Sequence, residues 1–380
     1  MKEGWENKKL PEISENLDSL RKPVTKKNRT AGIYPYYGAS GIVDYVDDYL
    51  FDEDLLCISE DGANLLMRTY PIAFPISGKV WVNNHAHVLR FKNVATQKYV
   101  EYFFAGLKLD KYITGAAQPK LTQKALNNII INIPTSIDEQ QSIVDYLDSV
   151  FAKIDVMKVN AEKALNEAKA LFQKTLEEVM KPKEEWGLFK LKEICTHIVD
   201  CPHSTPKKST SITNYPCIRT SELRGGEIEW SSMQYLDEDE YQKRISRLAP
   251  IAEDIVYGRE GTYGDAVLLP EGYHFSLGQR TMLLRANKKF VTPKFLLMMM
   301  ISTHVYNQAK AKNSGCGVGH VNVGDIKLFN IYLPPLSEQQ SIVTTLDSLK
   351  SKVDRLQENY GKISQECDAL KQAILRQVFE

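Results

Sequence analysis

The sequence predicts an α/β (α+β) chain: two globular domains joined by two long helices that fold back on each other as an antiparallel coiled coil. Three observations carry this. The chain has 380 residues, more than one ordinary domain holds. The segment Glu139-Gln-Gln-Ser-Ile-Val144 returns as Glu338-Gln-Gln-Ser-Ile-Val343. After each copy, apolar residues recur at alternating intervals of three and four for at least four heptads.

Composition narrows the class. With 43% hydrophobic and 25% charged residues the chain reads as globular and soluble, which excludes disorder and collagen. No run approaches the ~18 apolar residues of a membrane span, and no apolar stretch follows Met1, so neither a membrane partner nor a signal peptide is expected. Six irregularly spaced cysteines fit reduced thiols in a cytoplasmic protein. The net charge is zero, 48 Lys+Arg against 48 Asp+Glu, so the chain as a whole is not the basic protein that a free-standing nucleic-acid binder usually is.

Residues 1–134 form the first domain, with short strands expected at 54–59, 79–83 and 87–91 and a helix at 99–107, separated by Gly- and Asn-marked loops. Residues 135–185 form the first long helix. Ser136 or Asp138 caps it, with Glu139 or Gln141 three residues on, and Pro134 blocks extension backwards. Its seam reads Ile143, Leu147, Val150, Ile154 and Met157, continuing through Ala161, Ala164, Ala168 and Leu171. Residues 186–334 form the second domain, with strands at 254–257, 280–285 and 329–333 and a helix at 293–302. Residues 335–380 form the second long helix, opened by Ser337 and Gln340. Its seam is Ile342, Leu346, Leu349, Val353 and Leu356, continuing through Tyr360, Ile363, Cys367, Leu370 and Ile374. Lys, Glu and Asp fill most other positions, as they do off the seam of a coiled coil. The second domain begins almost at once after the first helix, so paired helices must run antiparallel. That makes a two-helix rod with a domain at each end and a pseudo-twofold repeat. Further echoes support the repeat. Trp5, Leu10, Glu12 and Ile13 match Trp186, Leu191, Glu193 and Ile194, and the segment from Asp54 to Gly62 resembles that from Asp254 to Gly261.

The domains offer binding loops and no catalytic motif. Arg21-Lys-Pro-Val-Thr-Lys-Lys-Asn-Arg29 carries five cations and no acid, and runs into Tyr34-Pro-Tyr-Tyr-Gly-Ala-Ser-Gly41. Cations beside tyrosines and glycines suit a loop that follows phosphates and stacks on or reads bases, with a solvated basic loop as the alternative. Ser77-Gly-Lys-Val-Trp-Val-Asn-Asn-His-Ala-His87 is a second polar cluster. Asn reads adenine bidentately, and His85 and His87 lack an acidic or Cys partner at metal-ligand spacing. The second domain offers Asp200-Cys-Pro-His-Ser-Thr-Pro-Lys-Lys208, Arg219-Thr-Ser221, Gly258-Arg-Glu-Gly-Thr-Tyr263, Gln279-Arg280 and Ser314-Gly-Cys-Gly-Val-Gly-His320. The Cys-x-His pairs at Cys195/His197 and Cys201/His203 are tighter than usual zinc spacing, and no metal is expected. Phosphate-binding, nucleophile-elbow, zinc-protease and adenine-methyltransferase motifs are all missing from the sequence. The acid-x-Lys triplets Asp325-Ile-Lys327 and Glu167-Ala-Lys169 are expected by chance. No catalytic residue is assigned.

On these residues the chain resembles the specificity subunits of type I restriction–modification systems over essentially its whole length. The two Pro…Glu-Gln-Gln-Ser-Ile-Val…Leu-Asp helices resemble that family's central and C-terminal conserved regions. Tyr36-Tyr-Gly-Ala-Ser-Gly41 with Gln118-Pro-Lys-Leu121 looks like one class of target-recognition domain. Asp200-Cys-Pro-His-Ser-Thr-Pro206 with the glycine-rich segment from Gly315 to Val321 looks like another. The resemblance implies two domains, each reading half of a bipartite double-stranded DNA target, with the coiled coil setting the spacer. It also implies assembly with two DNA-methyltransferase (modification) subunits and with restriction (translocase/nuclease) subunits. Those partners would hold S-adenosylmethionine, ATP and Mg, and this chain would hold no cofactor. From chemistry and motif match, DNA contact is expected in the first domain from Lys26, Lys27, Arg29, Tyr36, Tyr37, Ser40, Lys79, Asn84, His85 and Lys120. In the second it is expected from His203, Ser204, Lys207, Lys208, Arg219, Thr220, Arg259, Gln279, Arg280 and His320. The competing readings are a two-headed coiled-coil scaffold for other proteins and a stand-alone nuclease.

Overall fold

The computed structural model describes residues 4–115, 117–261, 263–313 and 319–380. Thr262 and residues 314–318, which belong to two of the expected reading loops, lie outside the described residues.

In chain order the first half contains β1 (Trp5–Lys9), α1 (Leu10–Ile13), β2 (Ser14–Asn16), β3 (Ala31–Gly38), β4 (Gly41–Val46), β5 (Phe51–Asp52), β6 (Leu55–Ser59) and α2 (Asn64–Met67). It continues with β7 (Ala73–Ile76), β8 (Lys79–Val82), β9 (Ala86–Phe91), α3 (Val94–Gly106), α4 (Gln123–Asn127), β10 (Ile130–Pro134) and the 43-residue α5 (Ile137–Val179). The second half contains β11 (Gly187–Lys190), α6 (Leu191–Ile194), β12 (Cys195–Asp200), β13 (Pro216–Ile218), β14 (Leu223–Arg224), β15 (Glu227–Ile228), β16 (Gln234–Tyr235) and α7 (Glu238–Arg244). It closes with β17 (Ile255–Gly258), β18 (Ala266–Leu268), β19 (Ser276–Leu277), β20 (Thr281–Ala286), α8 (Pro293–Met300), α9 (Thr303–Lys312), α10 (Val323–Ile326), β21 (Asn330–Leu333) and the 44-residue α11 (Leu336–Phe379). Every strand expected from the sequence is present within one residue at each end. The expected helix at 99–107 starts five residues earlier, at Val94, and the tyrosine segment read as a loop is the strand β3.

The chain divides into two compact units, Met1–Glu162 with Tyr360–Glu380, and Lys163–Asn359. The division cuts both long helices, so each unit holds a piece of each. The units share a topology that their sequences no longer show. Unit 1 has an antiparallel sheet in the order β2-β9-β6-β7, and unit 2 has β12-β20-β17-β18, also antiparallel. Beside it, unit 1 places β4-β3-β8-β5 with β3 and β8 parallel; unit 2 places β16-β13-β19 with β13 and β19 parallel. The ladders β1–β10 and β11–β21 close each unit next to its helices.

The central strands read as unbroken apolar runs because both of their faces are covered. Along β6, Leu56 and Ile58 enter one core while Leu55 and Cys57 enter a second. Along β17, Ile255 and Tyr257 face one core and Val256 the other. This is the two-residue alternation of a strand sandwiched between two packed layers.

The repeated Glu-Gln-Gln motif is explained by what its side chains touch. Gln140 is buried; its amide nitrogen donates to the Pro134 carbonyl at 2.7 Å, and its oxygen accepts from the Thr96 hydroxyl at 2.7 Å. Gln339 is buried too. Its nitrogen donates to the carbonyls of Pro334 and Phe290, and its oxygen accepts from the Thr292 amide at 2.9 Å. Glu139 accepts from the Trp5 indole at 2.8 Å, and Glu338 from the Trp186 indole at 3.3 Å. The echoing tryptophans and glutamates are therefore partners, and each motif bolts the first turn of a long helix to its own domain. Ser136 caps α5 by accepting from the Glu139 amide, whereas α11 begins directly after Pro335 and takes Ser337 into its first turn.

Each core takes the start of one long helix and the end of the other. In unit 1, Val144 of α5 joins the core, and Phe379 of α11 packs edge-on to Tyr99 at 5.1 Å. In unit 2, Val343 and Leu346 of α11 share a core with Leu176 of α5 and with Met180 just beyond its end. The helices run antiparallel: in unit 1, Asp155 meets Lys371 at 2.6 Å and Lys158 meets Asp368 at 2.9 Å.

The seam follows the expected pattern at alternate positions only. Leu147 and Ile154 on α5, and Leu346, Val353 and Cys367 on α11, are buried as expected. Ile143, Val150, Ile342 and Leu349 are half-buried, with Val144 and Val343 buried beside the first and third. Met157 is 56% exposed and Leu356 36%, and Leu171 and Leu370 are exposed as well. In their place the contact uses positions one residue later, among them Lys158, Leu165, Phe172, Lys350 and Lys371. The lysines lay their methylene stems along the seam and pair their ammonium groups with Asp368, Asp354 and Asp155. The spacing of three and four is kept, but the chosen flank is the one where stems and ion pairs cover the helix contact.

Candidate nucleic-acid interface

In unit 1 the basic segment after Leu20 is a strap with two kinds of cation. Arg29 stacks on the Tyr36 ring at 4.2 Å and pairs with Asp44 at 2.9 Å. Tyr36 stacks on Trp81, and its hydroxyl accepts from the Val24 amide and donates to the Val24 carbonyl. Arg21 bonds Glu60 at 2.7 Å and the Ala86 carbonyl at 2.6 Å. The buried Tyr36 and the inward Arg29 therefore hold the strap down. Lys26 and Lys27 remain exposed, as does Ser40 at the β3–β4 turn. Tyr37 is half-buried against Phe74, and Lys79 lies over the Tyr49 ring at 4.8 Å.

The ends of β6 and β9 converge with the loop before Leu121. The Glu60 amide donates to the His85 carbonyl, the Leu121 amide to the Glu60 carbonyl and the Gly62 amide to the Pro119 carbonyl. This brings Asn84, His85 and Lys120 onto one exposed rim. His85 Nδ1 lies 2.9 Å from both carboxylate oxygens of Asp61, and Lys120 Nζ lies 3.1 Å from Glu60. Behind the rim, Asp18 and Glu60 flank His87, whose Nδ1 is 2.6 Å from Asp18 and whose Nε2 faces the Leu121 carbonyl at 2.8 Å. These three side chains form a group of metal-ligand type. The acids that sequence spacing did not supply to His87 thus come from elsewhere in the chain. Arg21 bridges both carboxylates and supplies the positive charge that a metal ion would bring. Burial pushes the Glu60 carboxyl up, but Arg21, His87 and Lys120 outweigh it and hold it below its ordinary value.

Unit 2 builds the same rim from different residues. The Arg259 amide donates to the Arg280 carbonyl, the Val321 amide to the Arg259 carbonyl and the Gly261 amide to the Gly319 carbonyl. Arg259 is 4% exposed and spans Asp200 at 2.9 Å and Glu260 at 3.0 Å, so it braces the loops and does not reach outward. Arg219 is likewise committed, to the buried Glu222 and the Ser232 carbonyl. His203 faces Asp200 at 3.3 Å, Gln279 donates to the His203 carbonyl at 2.6 Å, and His320 faces Glu260 at 3.0 Å. Arg280 lies on the rim. Ser204, Lys207 and Lys208 are exposed on the neighbouring loop, and Thr220 is half-buried in a short 3₁₀ turn. Cys201 is in the core while His197 and His203 are exposed, so the Cys-x-His pairs do not converge.

Sequence reasoning missed the acids Asp61, Glu60, Asp200 and Glu260, which pair with His85, Lys120, His203, Arg259, Arg280 and His320. The signal was present in the echo of the segments ending at Gly62 and Gly261. It also missed Arg244, buried in α7, which ties the loop of Pro202 and Ser204 to Leu277 in β19 by donating to their three carbonyls. No motif marks that residue.

Comparison with known proteins accounts for the repeat. The family described as the type I restriction modification DNA specificity domain matches twice, over residues 2–167 and 183–364. The chain belongs to this family. It is a specificity subunit of the type I class, a non-catalytic kind of subunit. A Haemophilus influenzae protein named as a type I restriction enzyme specificity subunit is 26% identical, over 92% of this chain and 89% of the relative. The EcoKI specificity subunit of Escherichia coli is 25% identical over 67% of this chain and 59% of the relative. Among solved structures, the HsdS subunit from Thermoanaerobacter tengcongensis has the same fold, with a TM-score of 0.56 and 16% identity over 100% of this chain and 97% of that one. A chain from a study of type I restriction–modification complex assembly gives 0.69 and 16%, over 100% and 98%. Among the described residues no helix is long and apolar enough to cross a membrane.

Proposed function

We propose that each unit of this specificity subunit reads one half of a bipartite double-stranded DNA target through its rim. The observation that supports this most is the recurrence of the rim. The same strand ends and the same three backbone hydrogen bonds present exposed cations in both units, on side chains that differ between them. A shared frame with different readers is what two different half-sites require. In unit 1 the readers are Lys26, Lys27, Ser40, Asn84, His85 and Lys120. In unit 2 they are His203, Ser204, Lys207, Lys208, Gln279, Arg280 and His320.

The long helices set the spacer between half-sites and dock two modification subunits. Met157 and Leu370 in unit 1, and Leu171 and Leu356 in unit 2, remain exposed and apolar on helices whose own contact runs along the other flank. The modification subunits bring S-adenosylmethionine, and restriction subunits bring ATP and Mg. The assembly works in the cytoplasm. The test is a footprint and a methylation map of the chain co-expressed with its modification subunits. A bipartite adenine-methylated motif, and protection of two separated half-sites, are expected. A scaffold for proteins alone would leave DNA unprotected at every sequence, and a nuclease would cut with Mg and the purified chain alone.

A further inference from the structure

The two rims can be superposed residue by residue from their ladders. Ser59 faces Ala86 at the end of the β6–β9 pair, and Gly258 faces Thr281 at the end of the β17–β20 pair. One step further, the Glu60 amide reaches the His85 carbonyl and the Arg259 amide reaches the Arg280 carbonyl. His85 and Arg280 are therefore equivalent, and so are Asp61 and Glu260, one residue after each amide. At both places the outward residue places a side-chain nitrogen against that carboxylate. His85 is 2.9 Å from Asp61, and the Arg280 Nε is 3.4 Å from Glu260. The backbone position and the contact with a carboxylate are repeated while the side chain is changed.

Arg280 has two further properties. Its backbone φ is +69°, in the left-handed region that a residue with a side chain rarely adopts. Such strain persists where the surroundings enforce it and is concentrated at functional positions. Its side chain is 54% exposed, and Glu260 is its only ion partner among the described residues. Arg259, which braces the loops, is enclosed instead, with its side chain 5% exposed. Held through Nε, the guanidinium keeps a planar fork of donors facing out, the geometry that matches the O6 and N7 acceptors of guanine in the major groove.

We propose that Arg280 is a specificity-determining residue that reads a guanine in the half-site of unit 2, with Glu260 as its positioning residue. His85 and Asp61 occupy the equivalent place in unit 1. This rests on the reading of the rims as DNA interfaces. The test is adenine-methylation mapping in a host without its own adenine methylation, using the full chain with its modification subunits. The wild-type map should show an invariant G·C pair in the half-site that belongs to unit 2. Arg280→Ala should relax that one position by roughly 10- to 100-fold in preference and leave the other half-site unchanged. Arg280→Lys keeps the charge but loses the fork, so methylation should persist with guanine preference reduced at the same position. Glu260→Gln should weaken that preference without altering any other base. If Arg280→Ala abolishes methylation, Arg280→Lys decides. Unchanged guanine preference in Arg280→Lys, or a unit 2 half-site with no invariant G·C pair, overturns the proposal while a bipartite map still upholds the two-reader function. A wild-type chain that directs no bipartite motif overturns both.

Discussion

Gln140 and Gln339 are polar side chains in buried positions, and each hydrogen-bonds backbone groups of its own domain. Replacing either by Ala leaves buried carbonyls or amides unpaired, which costs about 1–3 kcal/mol. Gln140→Ala and Gln339→Ala should each lower the denaturation midpoint accordingly, whereas Gln141→Ala, on an exposed side chain, should change it little. A second residue-scale expectation comes from the charged cluster behind the unit 1 rim. Burial pushes the Asp18 carboxyl up, but its bond to His87, the Val88 amide and Arg21 outweigh this and hold it below its ordinary value; Glu60 is likewise held down. A depressed carboxylate contributes stability that is fully present above its unfolded value and is lost as pH falls through its folded value. Stability should therefore drop as pH falls from about 5 to 3. In Asp18→Asn the fall over that window should be shallower in a urea titration followed pH by pH.

At the scale of elements, the long helices separate what was legible in the sequence from what was not. Their existence, direction and start were readable, because a three–four apolar rhythm and a Pro-preceded cap are local signals. The flank that carries the contact was not, since Lys158 and Lys371 read as polar although their stems line the seam. Strands buried on both faces were found from their apolar runs. The strand β3 was missed because its tyrosines and glycines resemble a binding loop. At the rim, the cations were legible from composition. The acids that aim them were not, because Asp61 and His85, or Glu260 and His320, meet only in three dimensions. The corrected seam is tested by a pair of substitutions. Ile154→Ala, at a buried position, should cost about 2–4 kcal/mol, whereas Met157→Ala should cost less than about 1 kcal/mol in the isolated chain. Met157→Asp should instead weaken co-purification of the modification subunits. One heptad added to each of α5 and α11 lengthens each helix by roughly 10 Å. The expected map is weaker methylation of a motif that keeps both half-sites and changes only its spacer.

At the scale of the whole molecule, a chain with 48 basic and 48 acidic residues binds DNA with little long-range attraction of its own. Several rim cations are also matched by carboxylates, so in the proposed assembly much of the phosphate neutralisation would fall to the partners. The salt dependence of DNA binding should accordingly be shallow for the isolated chain and steep for the complex with modification subunits, in a titration from about 50 to 200 mM salt. On the proposed function, the internal repeat sets the logic of specificity: one frame, used twice, with different side chains on each rim. The most direct test of that claim is to replace residues 1–134 with the corresponding domain of a relative that has a known motif, and to map adenine methylation by sequencing. The predicted result is a hybrid motif, with one half-site taken from the relative and the other kept from the parent. A motif in which both half-sites change, or neither does, would contradict it.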